Sequence, residues 1–245
     1  MDLRDPTSAQ RHPWERARFD AWVHVAAPYL RAGQRILDFG AGDAWFASQL
    51  QQRFAALQLH IDCVDAHAAT EHPTGARTML RAIPPSARYD IILLLDVLEH
   101  LDDDHAALRA IATEHAAPNA TIFITVPAWP SLWSSHDDAL LHQRRYTAAT
   151  ARALVHSANL RLLASGGWFY SLLPARFATV ASERLRNAAA GEPVVGVSHA
   201  AWHHPAWLTR VVTALLRCDA RVGTALRSQL PWPGLSWWGI CQPLN

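Results

Sequence analysis

The sequence predicts an α/β fold in which helices cover both faces of a mostly parallel sheet. From Gln34 onward, short apolar segments alternate with segments whose apolar residues recur at helical spacing, and this alternation is typical of βαβ units. Residues 89–95, YDIILLL, are almost all apolar, as expected of a central parallel strand buried on both faces. The 245 residues are enough for one sizeable hydrophobic core.

Seven strands and the helices between them follow from this pattern. The predicted strands are residues 35–39, 59–64, 77–80, 89–95, 121–126, 160–169 and 235–241. We expect Gly166 and Gly167 to break the sixth of them. Asp43 is a candidate N-cap for the helix after the first strand. Residues 102–104, all Asp, begin another helix, where carboxylates suit the positive end of the helix dipole.

Four segments are predicted along the chain. Residues 1–33 form an N-terminal helical segment, residues 34–170 the core, residues 171–233 a helical cap, and residues 234–245 the last strand of the core sheet. The cap is therefore an insertion before the last strand, and we expect it to cover a ligand site.

The cap differs from the core in charge and in aromatic content. Residues 171–245 carry 7 Arg and 3 acidic residues, a net charge of +4, and 5 of the 11 Trp lie after residue 200. Arg and Trp suit a membrane interface, so one interpretation is a cap that makes peripheral contact with the inner membrane face. In the other interpretation, the aromatic residues form the cap's own core and the arginines are solvated.

Composition excludes several classes of protein. The net charge of +1 gives no general attraction to nucleic acid. The polar N-terminus lacks the apolar stretch of a signal peptide, and no apolar run reaches the ~20 residues that a membrane-spanning helix needs. Three widely spaced cysteines favour neither a disulfide framework nor a CxxC metal site. We expect a cytoplasmic protein that binds no nucleic acid and no metal.

Glycines and carboxylates follow the first two predicted strands. Gly40 and Gly42 let the backbone turn sharply and approach a ligand without a Cβ in the way. Asp65 ends the second strand, where a carboxylate can accept hydrogen bonds from two ribose hydroxyls. The alternative is a plain glycine turn, but the carboxylate at the neighbouring strand end favours a nucleoside site. A dinucleotide is disfavoured because Trp45 replaces the third glycine of GxGxxG.

The segments ILDFGAGDAWFA and YDIILLLDVLEHLDDD, with Asp65 between them, resemble the class I SAM-dependent methyltransferases (SAM, S-adenosyl-L-methionine). The DVLEHL stretch is typical of their bacterial small-molecule and quinone-pathway branches. The resemblance implies a Rossmann-like seven-stranded sheet and SAM as cofactor. It also implies that SAM's methionine part is lined by Asp38, Gly40, Ala41 and Gly42. Asp65 would hold the ribose, and Asp96 would close the site from the fourth strand.

A second motif follows the fifth predicted strand. His136-Asp137 precedes an HxRRY element that begins at His142, and the pair resembles a loop that borders the acceptor pocket in a subset of these enzymes. His136 or His142 is a candidate general base that Asp137 orients. Two alternatives stay open: His136 and Asp137 only hold the loop in place, or His136, Asp137 and His142 bind a metal.

The function expected from the sequence is therefore methyl transfer from SAM to a small-molecule or lipid-like acceptor, at an oxygen atom. The alternative is a catalytically silent binding or scaffold protein with the same fold. A nucleic-acid substrate is disfavoured, because DVLE stands after the fourth strand in place of an NPPY-type motif.

Overall fold

A computed structural model describes residues 11–66, 72–74, 77–190, 202, 204–230 and 232–244. The chain divides into two compact units. The first consists of Met1–Val25, Pro127–Ala148 and Gly166–Trp237, and the second of Ala26–Val126, Ala149–Ser165 and Trp238–Asn245. Each unit is made of several separate stretches of chain. This division does not test the four segments predicted from the sequence, which stay a prediction.

The described residues contain eight strands, which share one sheet. They are β1 (Arg35–Phe39), β2 (His60–Val64), β3 (His72–Thr74), β4 (Arg77–Leu80), β5 (Tyr89–Leu95), β6 (Ala116–Pro127), β7 (Leu160–Trp168) and β8 (Ser236–Pro243). Their order is β3-β4-β2-β1-β5-β6-β8-β7. The pairs β4-β2, β2-β1, β1-β5 and β5-β6 are parallel, whereas β3 runs antiparallel to β4. The predicted α/β fold with a mostly parallel sheet is confirmed, and β3 is a strand that the sequence pattern did not predict.

Seven α-helices are present among the residues described. They are α1 (Pro13–Ala26), α2 (Trp45–Arg53), α3 (Asp104–His115), α4 (Ser135–Ala139), α5 (Ala148–Ser157), α6 (Leu173–Ala190) and α7 (Ala206–Ala225). Where it is described, the long segment before the last strand is mostly helical as predicted, since it supplies α6 and α7. Within the described ranges, no helix combines the length and the apolar character needed to cross a bilayer. That this segment caps a ligand site stays a prediction.

The core of the second unit is formed where the sequence is most apolar. Ile36 and Leu37 of β1 are fully buried, as is the run 91–94 of β5, because strands in the middle of a parallel sheet are covered on both faces. Asp103, in the predicted run of aspartates, accepts a hydrogen bond from the Ala106 N–H at 2.8 Å and caps α3. The predicted N-cap of α2 was wrong by one residue: Ala44 holds that position without a side-chain cap, although Asp43 accepts a hydrogen bond from the Trp45 N–H at 3.2 Å.

The predicted break in the sixth strand was wrong. This strand, β7, runs without interruption through Gly166 and Gly167. A Cβ on Gly167 would lie 2.1 Å from the backbone nitrogen of Gly234. Gly167 therefore leaves room for the segment that leads into β8, and its purpose is close backbone approach rather than a break.

Candidate active site

The loop after β1 has a backbone conformation that favours glycine. Gly40 has φ +74° and Gly42 has φ +56°, both in the left-handed region that is costly for residues with a Cβ. The carbonyl of Val64, at the end of β2, accepts hydrogen bonds from the N–H groups of Gly40 at 2.7 Å and Ala41 at 3.1 Å. The loop is therefore tied to the carboxyl end of the neighbouring strand.

Gly40 also makes a close contact that only glycine permits. A Cβ at this position would lie 2.6 Å from Cγ2 of Val97, a buried residue two positions after β5. Gly40 itself is exposed, and Ala41 and Gly42 are half-buried. At its two glycines the loop thus presents backbone without side chains at the carboxyl ends of the strands, where α/β folds bind ligands.

Asp65 is turned toward this glycine loop. Its carboxylate oxygen Oδ2 accepts a hydrogen bond from the Gly42 N–H at 2.9 Å. Its own N–H donates to the carbonyl of Leu80, the last residue of β4, at 3.0 Å. A carboxylate has about four lone-pair sites, so the hydrogen bond from Gly42 uses only part of the acceptor capacity of Asp65.

Asp38 is a buried carboxylate within β1. In the sheet register it stands opposite Cys63 of β2 and Leu93 of β5. Burial, and after it the nearby Asp38 charge, raise the pKa of the Cys63 thiol. Because burying a carboxylate is costly, this position is poorly explained by packing alone.

Asp96, the residue after β5, adopts a left-handed conformation with φ +57°, which Asp tolerates better than most residues. Its N–H donates to the Thr125 carbonyl at 3.0 Å, and the Thr125 hydroxyl donates to Asp96 Oδ1, also at 3.0 Å. Thr125 was not among the predicted site residues. The sequence signal for it is a threonine near the end of the mostly apolar strand TIFITV.

Three carboxylates of the second unit, those of Asp38, Asp65 and Asp96, lie at or near the carboxyl ends of adjacent strands. Asp65 follows β2, Asp38 lies in β1 and Asp96 follows β5, and these strands are neighbours in the sheet. With the exposed glycine loop between them, they form an edge rich in hydrogen-bond acceptors and negative charge.

The second predicted motif lies in the first unit and begins with a capped helix. Ser134 is the N-cap of α4, where its hydroxyl accepts from the His136 N–H at 3.3 Å. In return, Asp137 Oδ2 accepts from the Ser134 N–H at 3.1 Å. This reciprocal pair is a capping box, so part of the role of Asp137 is to fix the loop. His136 is exposed and supplies its backbone to the cap.

Asp137 is also the centre of a buried charge cluster. Its carboxylate is fully buried and accepts hydrogen bonds from Arg145 at 2.8 Å, Arg176 at 2.8 Å and His142 Nδ1 at 3.0 Å. Burial alone would raise the pKa of Asp137, but the His142 hydrogen bond and the two guanidinium groups hold it below its usual value. Asp137 is therefore ionised at neutral pH.

The contact with Asp137 sets the orientation of His142. A carboxylate only accepts hydrogen bonds, so Nδ1 of His142 carries the hydrogen atom in this contact. Of the three predicted catalytic residues, the structure thus joins Asp137 to His142 through their side chains. The metal alternative is disfavoured, because the Asp137 oxygens already bind two cationic side chains.

Arg176, in α6, is a residue of this cluster that was not predicted. Its Nη2 lies 3.2 Å from the Leu132 carbonyl, 2.7 Å from the Ser134 hydroxyl and 2.8 Å from Asp137 Oδ2. It thereby joins α6 to the loop. No local pattern could have revealed it, since it lies 39 residues from Asp137 in a helix with two other arginines.

Comparison with known proteins decides the family. The family described as "Methyltransferase domain" matches residues 11–184, which is more than half of the chain. The chain belongs to the class I SAM-dependent methyltransferase family. The predicted fold, enzyme class and SAM cofactor are thereby confirmed; the branch within the family and the roles of single residues stay predictions.

Solved structures share the fold of this methyltransferase at low sequence identity. A SAM-dependent methyltransferase from Archaeoglobus fulgidus is 15% identical, with a TM-score of 0.51 and coverage of 92% of this chain and 93% of the other. Coclaurine N-methyltransferase bound to N-methylheliamine and SAH is 11% identical, with a TM-score of 0.51 and coverage of 92% and 70%. The [4+2]-cyclase SpnF is 14% identical, with a TM-score of 0.53 and coverage of 92% and 81%. No curated protein matches the sequence.

Proposed function

We propose that this methyltransferase holds SAM at the edge formed by the glycine loop and the carboxylates of Asp38, Asp65 and Asp96. The observation that carries the proposal is the hydrogen bond between Asp65 and the Gly42 N–H at 2.9 Å. It holds the carboxylate that would bind the ribose against the half-buried backbone of the loop. Asp65 would accept the ribose hydroxyls, and the loop 40–42 with Asp38 would line the methionine part.

The charge of the edge suits this cofactor. When bound, SAM supplies a methyl group on a positively charged sulfur atom. The carboxylates of Asp38, Asp65 and Asp96 complement a cationic ligand, and they would disfavour the pyrophosphate of a dinucleotide. The Thr125 hydroxyl keeps the Asp96 carboxylate at the strand end, where it would close the site.

For the acceptor we propose a small or lipid-like molecule that is methylated at a hydroxyl group. His142 would accept the hydroxyl proton at Nε2, because Asp137 holds the proton on Nδ1. An ionised Asp137 also stabilises the imidazolium that results. His136 is the second candidate base. The buried Asp137–His142 pair supports an acceptor that must lose a proton during methyl transfer, as a hydroxyl does.

Calorimetry with SAM tests the cofactor site. We expect the unmodified protein to bind, and Asp65→Ala to bind at least about tenfold more weakly, because hydrogen bonds to a charged group contribute about 1.5–3 kcal/mol each. Asp102→Ala, which removes an exposed Asp of the same unit, is the matched control and should bind normally. Equal affinities for the two variants would contradict the assignment.

A product search tests the chemistry. The protein is incubated with cell extract and SAM that carries a ¹³C-methyl group, and products heavier by one labelled methylene are isolated. The methyl carbon shift then distinguishes O-methyl from N-methyl products, and His142→Ala should reduce product formation while SAM still binds. SAM binding without any product would favour the catalytically silent alternative.

A further inference from the structure

Helix α7 has a stripe of exposed apolar side chains along its length. Trp207 is 65% exposed, Val211 48%, Leu215 64% and Val222 50%. These residues recur at spacings of four and seven, so they lie on one side of the helix. Cys218, which is also exposed, falls on the same side. We call this set the α7 stripe.

The α7 stripe is not the face that holds the helix in the fold. The buried residues of α7 are Thr209, Thr213, Leu216, Ala220, Gly223 and Thr224. At about 100° per residue, they occupy the opposite side of the helix. Packing of the first unit is thus achieved without the stripe. A contiguous exposed apolar surface of this kind is unusual in soluble proteins and marks interaction sites.

A row of arginines lies beside the stripe. Arg210, Arg217 and Arg221 are exposed and share the sector between the stripe and the buried face. Arg217 forms an ion pair with Asp20. Within the described part of the chain, no carboxylate is paired with Arg210 or Arg221.

The single acidic residue of α7 does not neutralise this row. Asp219 accepts hydrogen bonds from the N–H groups of Tyr170 at 3.0 Å and Ser171 at 2.6 Å. Its carboxylate is therefore used to anchor the turn before α6. The outer surface of α7 combines apolar side chains with net positive charge.

We infer that the α7 stripe docks on the surface of an anionic lipid bilayer, with the helix lying in the plane of the interface. Trp suits the headgroup level, aliphatic side chains enter the acyl boundary, and arginines contact lipid phosphates. A second copy of this chain fits less well, because it would bring the same arginine row to the same surface. The inference deepens the proposed function, since it names the place where a lipid-like acceptor would be reached.

Vesicle flotation with the full chain tests the inference. We expect binding to phosphatidylcholine vesicles that contain phosphatidylglycerol, and little binding to phosphatidylcholine alone. Leu215→Glu should lower the partition coefficient at least about tenfold, because it removes an exposed leucine side chain that docking would bury in the bilayer. Replacing both Arg210 and Arg221 by Gln should lower it about fivefold for each charge lost.

Two controls separate the stripe from general effects. Leu185→Glu introduces the same charge on α6, where Leu185 is 72% exposed, and should change binding much less than Leu215→Glu. The pair Arg109→Gln and Arg152→Gln removes two exposed arginines of the second unit and should change it little. Calorimetry with SAM on the same variants reports on the cofactor site, so failure of docking and failure of the proposed function are distinguishable.

A probe on Cys218 gives a test that needs no variant. This thiol is exposed in the stripe, whereas Cys63 and Cys241 are buried, so an environment-sensitive fluorophore can be attached selectively. Anionic vesicles should shift its emission to the blue. The inference is overturned by an unchanged emission, by equal binding of Leu215→Glu and the unmodified protein, or by light scattering that shows a dimer which Leu215→Glu dissociates.

Discussion

Replacement of Gly40 by alanine tests the central feature of the cofactor loop. The new Cβ would lie 2.6 Å from Cγ2 of Val97, closer than real carbon atoms approach, and the backbone has φ +74°. Gly33 offers a matched control in the same unit. It has nearly the same φ of +73°, but a Cβ there would meet no atom within 4 Å.

The two substitutions should therefore differ in cost. Both substitutions place an alanine in the left-handed region, which destabilises the fold by about 1–2 kcal/mol. Gly40→Ala also overpacks the contact with Val97, which destabilises the fold further, by about 1–3 kcal/mol. We expect Gly40→Ala to lower the free energy of unfolding by about 2–5 kcal/mol and Gly33→Ala by about 1–2 kcal/mol.

Urea denaturation of four proteins measures the clash directly: Gly40→Ala, Val97→Ala, the double variant and the parent. Because Val97→Ala removes the methyl group that the new Cβ would meet, the double variant should lose less stability than the sum of the single variants. SAM affinity should fall in Gly40→Ala and stay normal in Gly33→Ala. Additive losses, together with equal costs for Gly33→Ala and Gly40→Ala, would refute the close-contact argument.

Three further predictions concern buried polar groups. Asp137→Asn should lower the free energy of unfolding by about 3–5 kcal/mol, because two guanidinium groups lose their counter-charge. Since the pKa of Asp137 is lowered in the folded state, this stabilisation is complete above about pH 4 and is lost as the pH falls through the folded pKa. The difference in free energy of unfolding between Asp137→Asn and the unmodified protein, measured by urea denaturation, should therefore become smaller in acid. A difference that does not change with pH would contradict this. Thr125→Val should cost about 0.5–1.5 kcal/mol and weaken SAM binding measured by calorimetry, since Asp96 loses its hydroxyl donor; unchanged binding would argue against that role. Burial raises the pKa of Cys241 to about 12, so Cys218 alone should react rapidly with a thiol reagent at pH 8 in the native protein, and rapid labelling of a second thiol would show that the core opens.

Much of the fold was predictable because its signals are local. The strand 89–95 is buried on both faces and therefore consists almost entirely of apolar residues. The glycines and Asp65 lie at strand ends, where a short motif is enough to indicate both a turn and a ligand contact. These features allowed the sheet and the family to be inferred from short segments, and they are the basis of the predicted nucleoside site.

The remaining features depend on contacts between distant parts of the chain. Gly167 reads locally as a strand breaker, and its close approach to Gly234 becomes visible only when the two segments meet. Arg176 resembles any other helix arginine until α6 brings it to Asp137. The neighbouring strand β6 likewise determines that Thr125 faces Asp96. In each case the partner, rather than the residue type, defines the role.

The contact between Gly167 and Gly234 has a consequence for engineering the protein. The polypeptide leaves the end of β7 and returns to nearly the same point before β8, so the helical excursion between them begins and ends at one place. Insertions with adjoining ends are the kind that proteins accept, lose or exchange with least disturbance to their host. A short turn joining the two glycine positions should therefore be long enough to connect β7 to β8 in place of the helical segment.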